Sequence, residues 1–312
     1  MARAFVFPGQ GSQAVGMGAE LAAAFPVARH TFEEVDEALG QRLSRVMAEG
    51  PESDLMLTEN AQPALMAVSL AVVRVIEKEG GIALARAGRF VAGHSLGEYS
   101  ALCAAGALAL ADTARLLKRR GRAMQEAVPV GMGAMAAILG IELDAARAIA
   151  EEAAEREVCD PANDNAPGQV VLSGHATAID RAIAIAKERG KRSIKLPVSA
   201  PFHCKLMAPA AEVMEEALSA TAIAPPALPL IANVTAAATS DPAVIRRLLV
   251  EQVTAMVRWR ESVLAMKAGD VDTLVELGAG KVLSGLARRI DPDVTGVPVG
   301  TPSELESFLK TL

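Results

Sequence analysis

The 312-residue chain is short of several things, and each shortage removes a class of function. It has only three cysteines, Cys103, Cys159 and Cys204, far apart and with no CxxC spacing. That pattern excludes a disulfide framework or a cysteine zinc site and suits a reducing cytoplasm. It has no basic excess: the formal net charge is −6, which argues against nucleic acid as the main partner. Its longest strongly apolar run, "ALCAAGALALA" at 101–111, is roughly half of the ~20 residues a membrane span needs and reads as a buried helix. The start, "MARAFVFPGQGSQ", has a short apolar run broken by Pro8, so no secretory signal peptide is expected. "GAGKV" at 278–282 lacks the Ser or Thr after Lys281 that a phosphate-binding P-loop needs. No repeat or low-complexity segment stands out.

What remains is the composition of a well-packed soluble protein, 51% hydrophobic and 22% charged. The twelve methionines are scattered at core-like positions and read as packing. Short β-branched or aromatic runs alternate with Ala/Leu/Glu/Arg-rich helical patterns, the signature of an α/β fold with a mainly parallel sheet. "AFVFPG" at 4–9 predicts the first strand, and helical patterns follow at 19–38 and 62–79, the second with Pro63 in its first turn. "GRFVAG" at 88–93 predicts a strand and "GEYSALCAAGAL" a helix. Residues 131–197 change register to strand, helix, strand, strand, helix, strand, a ferredoxin-like order. The predicted organisation is a large catalytic domain of residues 1–130 and 198–312, interrupted by a small domain of residues 131–197.

At the junction of the 88–93 strand and the next helix stands Gly93-His94-Ser95-Leu96-Gly97. A G-x-S-x-G frame in that setting is a nucleophile elbow: a turn so tight that its flanks must be small, lifting a serine toward the N–H groups of a helix N-terminus. The competing reading is a small-residue turn needed only for packing. A serine hydroxyl needs a base, and there are four histidines. His30 lies on the polar side of a helical pattern. His94 is inside the elbow, with its side chain directed away from Ser95. His175 follows an apolar strand of the small domain and reads as a surface-loop residue. His203 remains, in a segment stiffened by Pro197 and Pro201 where the chain re-enters the large domain; a satisfied structural histidine is the alternative. No Asp or Glu stands out by spacing as its orienting partner, and a backbone carbonyl serves as well. "KRRGR" at 118–122 taken alone reads equally as a solvated helix end.

Seven segments, in order, resemble the malonyl-CoA:acyl-carrier-protein transacylases and the related acyltransferase domains of polyketide synthases. They are "FVFPGQGSQ", "GHSLGEYSAL", "RRGRAMQEA", "GAMAAILG", "NAPGQVVLSG", "SAPFHCKLM" and "ELGAGKVLSGL", and they span nearly the whole chain. One departure is Ala61, where many relatives have Thr.

The resemblance implies an α/β-hydrolase-like large domain carrying an inserted ferredoxin-like one. It implies Ser95 as nucleophile and His203 as base, the latter oriented by a main-chain carbonyl near Gln252. Gln10 and Leu96 would give the oxyanion N–H groups, and Arg120, with Gln252, would bind substrate. A guanidinium makes two parallel hydrogen bonds to a malonyl carboxylate, which Lys cannot reproduce. Phe202 matches the malonyl-selecting form of its loop. The implied activity is malonyl transfer from malonyl-CoA to the phosphopantetheine thiol of acyl carrier protein, for fatty-acid synthesis or, alternatively, a polyketide pathway. The enzyme would be a cytoplasmic monomer needing no metal or redox cofactor, with no nucleic-acid or membrane partner. The basic segments 187–195 and Arg288-Arg289 are candidates to meet an acidic carrier protein.

Overall fold

The computed structural model describes residues 2–312 and contains ten strands. In chain order they are β1 (Arg3–Phe7), β2 (Phe90–Gly93), β3 (Gly133–Leu139), β4 (Cys159–Ala166), β5 (Gln169–His175), β6 (Arg192–Lys195), β7 (Leu230–Ile231), β8 (Ala238–Thr239), β9 (Thr273–Leu277) and β10 (Thr295–Val299). Six form one sheet in the order β10-β9-β1-β2-β7-β8, parallel except for the β7–β8 pair. Strand β1 is central and apolar in unbroken sequence because both faces of the sheet are covered. Its Phe5 and Phe7 enter one hydrophobic core, and its Ala4 and Val6 enter another on the opposite face.

The other four strands form a separate, wholly antiparallel sheet, β4-β5-β3-β6. One face packs Ala136, Ile138 and Leu172 against the helices Leu143–Ala154 and Ala176–Glu188. The other turns Met135, Ala137 and Val171 into the main core. Strand β4 is irregular against β5 between Pro161 and Asn163 and between Asp164 and Ala166. There its backbone bonds a segment of the large unit: Val257 N–H donates to Ala162 O, and Asp164 N–H donates to Val257 O. The small sheet is thus tied by main chain to the segment that follows Gln252.

Two helices differ from their sequence-based limits. The 19–38 pattern is two helices, Ala19–Ala24 and Pro26–Leu39. Phe25 is extended (φ −129°, ψ 113°) because a residue before proline is crowded out of helical geometry. The second pattern begins earlier, at Thr58, and runs to Gly80, so Pro63 lies beyond the first turn. No helix among the described residues is long and apolar enough to cross a membrane.

Candidate active site

The site is set by the ends of two neighbouring parallel strands. β1 and β2 pair with Phe7 opposite Gly93, so the turns that follow them are adjacent. The chain leaves β2 through Ser95, whose φ is 53°, and enters the helix Gly97–Ala104 at once. A non-glycine residue in left-handed geometry is strained and is retained where the surroundings over-determine it. Here they do. A Cβ on Gly93 would lie 1.9 Å from the carbonyl of Gly97, and one on Gly97 would lie 2.2 Å from Phe7 O. Both glycines are sterically required, which makes the turn an elbow and not a generic loop.

Asn233 pins the turn. Its Oδ1 accepts the Ser95 N–H at 2.8 Å and its Nδ2 donates to Gly93 O at 2.7 Å. The N–H groups of Gln10 and Leu96, by contrast, donate to no protein acceptor among the described residues. Both residues line the same cavity as Ser95, of about 400 Å³.

His203 arrives from the loop after β6 and also has positive φ, 58°. Its Nε2 is 2.8 Å from Ser95 Oγ, and its Nδ1 is 2.9 Å from the carbonyl oxygen of Gln252. A carbonyl can only accept, so Nδ1 carries the ring proton and Nε2 presents a lone pair to the serine hydroxyl. Burial, followed by repulsion from the Arg120 cation, pushes the imidazole pKa down to about 3. The imidazole is therefore neutral at physiological pH and able to accept a proton.

Arg120, on the helix Leu110–Glu126, is 1% exposed. Its Nη1 donates to Gln62 Oε1 at 2.8 Å, and its Nη2 donates to Gln252 Oε1 at 2.9 Å and to Ser95 Oγ at 3.1 Å. All three acceptors are neutral, and among the described residues no carboxylate forms an ion pair with it. The next residue explains the close approach: a Cβ on Gly121 would lie 2.5 Å from Thr58 O, so this helix rests directly on the backbone of the one carrying Gln62. Phe202 lines the cavity beside Met124 and Met135. Gln252 does not line it; fully buried, it reaches Arg120 and His203.

The other histidines lie elsewhere. His30 is exposed. His94 turns to Asn165, with Nε2 2.9 Å from Oδ1, and His175 accepts the Val158 N–H through Nδ1. Cys204 donates to Pro201 O, and burial raises its thiol pKa to about 11, so it is not a thiolate. Three residues of the site were missed from sequence: Asn233, Gln62 and Glu98. Glu98 is fully buried next to Gln252 and belongs to "GHSLGE", where the one charged residue of an otherwise uncharged helix was the available signal. Gln62 likewise sits in a run of buried apolar residues, whereas Asn233 stands in an unremarkable turn.

The arrangement is a serine hydroxyl facing a neutral imidazole, two N–H groups without protein acceptors beside it, and a buried cation touching the hydroxyl oxygen, a set that can perform nucleophilic chemistry. Comparisons with known proteins identify the family. Residues 4–289 match the acyl transferase domain family. The chain is 46% identical over 308 residues to the malonyl CoA-acyl carrier protein transacylase of Escherichia coli K12, covering 98% of each. It superposes on the crystal structure of an acyl-carrier-protein S-malonyltransferase from Bartonella henselae with a TM-score of 0.97 at 54% identity, covering 100% and 99% of the two chains. It also matches a malonyl-transacylase solved in complex with the acyl-carrier protein of a type II polyketide synthase, with a TM-score of 0.96 at 40% identity and 100% of each chain covered. The chain belongs to the acyl transferase domain family and is an acyltransferase.

Proposed function

We propose that the protein moves malonyl groups from malonyl-CoA to the phosphopantetheine thiol of acyl carrier protein, supplying fatty-acid synthesis, by a ping-pong route through Ser95. The observation that carries this reading is Arg120: a buried cation with only neutral partners, 3.1 Å from the nucleophilic oxygen. A malonyl ester on Ser95 would place its free carboxylate one methylene beyond the ester carbonyl, within reach of that guanidinium. An acyl group without the carboxylate would leave the buried charge unpaired, at substantial cost.

Each step uses a group already in place. His203 Nε2 takes the Ser95 proton as Oγ attacks the thioester carbonyl, and the N–H groups of Gln10 and Leu96 hold the oxyanion. The carbon–sulfur bond breaks, CoA leaves with the proton from His203, and malonyl-Ser95 remains. The carrier thiol then gives its proton to His203 and attacks the ester, and Ser95 recovers a proton as it leaves. No step calls for a metal or redox cofactor. A serine hydrolase would use a carboxylate to orient its histidine; here a carbonyl takes that place.

The finer architecture follows the same reading: an α/β-hydrolase-like domain of residues 1–130 and 198–312, supported by the elbow, and a ferredoxin-like domain of residues 131–197, supported by its strand order. We read the enzyme as a cytoplasmic monomer without nucleic-acid or membrane partners. Arg192 and Arg288 are exposed and free of ion pairs among the described residues, and β6 leads directly to the cavity wall at Leu196–Val198. They suit an acidic carrier protein.

The test is intact-protein mass after exposure to malonyl-CoA. Wild type should gain one malonyl group, lose it to carrier-protein thiol faster than to water, and gain none as Ser95→Ala. Rapid release of free malonate without acceptor would reject transfer in favour of hydrolysis.

A further inference from the structure

Glu98 is a buried carboxyl that touches none of the reacting atoms, yet its contacts converge on them. Its Oε2 accepts from two donors, the backbone N–H of Asn233 at 3.1 Å and Nε2 of Gln252 at 2.8 Å. Asn233 holds the backbone on both sides of the strained turn, at Ser95 N and Gly93 O. Gln252 touches everything else: its Nε2 also donates to Ser95 O at 3.0 Å, its Oε1 takes Arg120 Nη2, and its main-chain oxygen takes His203 Nδ1.

We infer that Glu98 is a positioning residue, one carboxyl oxygen fixing two residues, Asn233 through its backbone and Gln252 through its side chain, that between them aim the nucleophile, the base and the carboxylate-binding guanidinium. The inference rests on the transfer reading above. The Gln252 amide has two orientations, and only one serves. With Oε1 toward Arg120 it accepts from a cation, and with Nε2 toward Glu98 and Ser95 O it donates to acceptors. Rotated by half a turn, it would set an N–H₂ against the guanidinium and an oxygen against three oxygens, those of Glu98 Oε2, Ser95 O and Asn233 Oδ1. Glu98 supplies the nearest acceptor on the Nε2 side, at 2.8 Å, and an oxygen that cannot turn into a donor for Gln252 Oε1 without leaving Asn233 N–H, so it selects the productive orientation.

Burial is the main cause that raises the Glu98 carboxyl to about pKa 7, against its hydrogen bonds and Arg120. Both protonation states are therefore populated near neutrality, and both accept through Oε2. What matters is the placement of an acceptor oxygen, not the charge. Glutamine preserves that placement; aspartate keeps the charge and withdraws the oxygen by one methylene.

The experiment compares E98Q, E98D and E98A by rapid-quench acylation and intact mass, with malonyl-CoA and with acetyl-CoA. E98D and E98A should load malonyl about thirtyfold slower, a loss on the scale of misplaced hydrogen bonds. Their malonyl-to-acetyl rate ratio should fall about tenfold, because the guanidinium loses one of its guides and acetyl does not use it. E98Q should recover both to within about threefold of wild type. A role confined to filling the core would leave that ratio unmoved. A folded E98Q no better than E98A, or E98D with wild-type rate and ratio, overturns the inference; should E98A not fold, E98D and E98Q decide it. Wild type that takes up no malonyl rejects the transfer reading itself, whereas loading wild type with unaffected variants rejects this inference alone.

Discussion

Nη2 of Arg120 lies 3.1 Å from Oγ of Ser95, so the cation proposed to hold the substrate's carboxylate also touches the oxygen proposed to attack its thioester. On the other side of the same oxygen stands His203 Nε2, at 2.8 Å. The hydroxyl donates to the imidazole and accepts from the guanidinium, which leaves it one defined orientation before substrate arrives.

Replacement of Arg120 should therefore separate substrates. Arg120→Ala removes the partner of the malonyl carboxylate, and malonyl loading should fall about a thousandfold while acetyl loading persists. Arg120→Lys keeps the charge but not the paired donors, and should recover part of the malonyl rate. Single-turnover acylation with both thioesters measures this. Malonyl loading that survives in Arg120→Ala would remove the carboxylate role.

The pH profile should be displaced to acid. An ordinary imidazole titrates near 6.5, but burial and Arg120 bring His203 to about 3. A lowered pKa keeps the base form at all pH values above it, so kcat/KM for acylation should show no fall through pH 6.5 and should decline only well below it. Malonyl bound on Arg120 offsets the repulsion on His203, so the limb in kcat should lie at higher pH than the limb in kcat/KM. The same shift acts on folding. The unfolded chain binds a proton near 6.5 that the native site refuses, so the contribution of His203 to stability is complete above 6.5 and is lost as pH falls toward 3. A kcat/KM limb at pH 6.5 would contradict the electrostatics.

Much of this was legible in the chain because the decisive signals are local. The elbow is five consecutive residues after a strand pattern, and the antiparallel unit follows from six elements in sequence order. The supporting groups were not legible, since their partners are remote. Asn233 meets Ser95 across 138 positions, and Gln252 meets it across 157. Nothing around Asn233 marks it, because an asparagine in a turn has a sufficient local explanation. The helix break at Phe25 was legible in Pro26, but the apolar period continues across it and masks the proline.

Gly93→Ala tests whether the elbow is sterically closed. The added methyl would overlap the Gly97 carbonyl at 1.9 Å, a contact with backbone that no side-chain rotation relieves. The variant should lose at least about 3 kcal/mol of stability and, where it remains folded, should not acylate. Urea denaturation together with intact mass after malonyl-CoA checks both. Near-normal stability with normal loading would mean that the turn can relax and that its strain is not needed.

Phe202 tests selectivity at the acyl carbon next to the carboxylate. The residue is 9% exposed and lines the cavity with Ser95, Met124 and Met135, beside the position proposed for the acyl chain. An α-methyl group would add one carbon beside that ring, and a single carbon in an apolar pocket discriminates by about tenfold or more. Phe202→Ala should raise the rate of methylmalonyl loading relative to malonyl by about that factor. Arg120 still binds the carboxylate common to both, so the change should fall on the ratio and not on the preference for acids over acetyl. Competition of the two thioesters for the enzyme, read by mass, distinguishes the products by one methylene. An unchanged ratio would assign the ring to core packing and move the selectivity to Met124 or Met135.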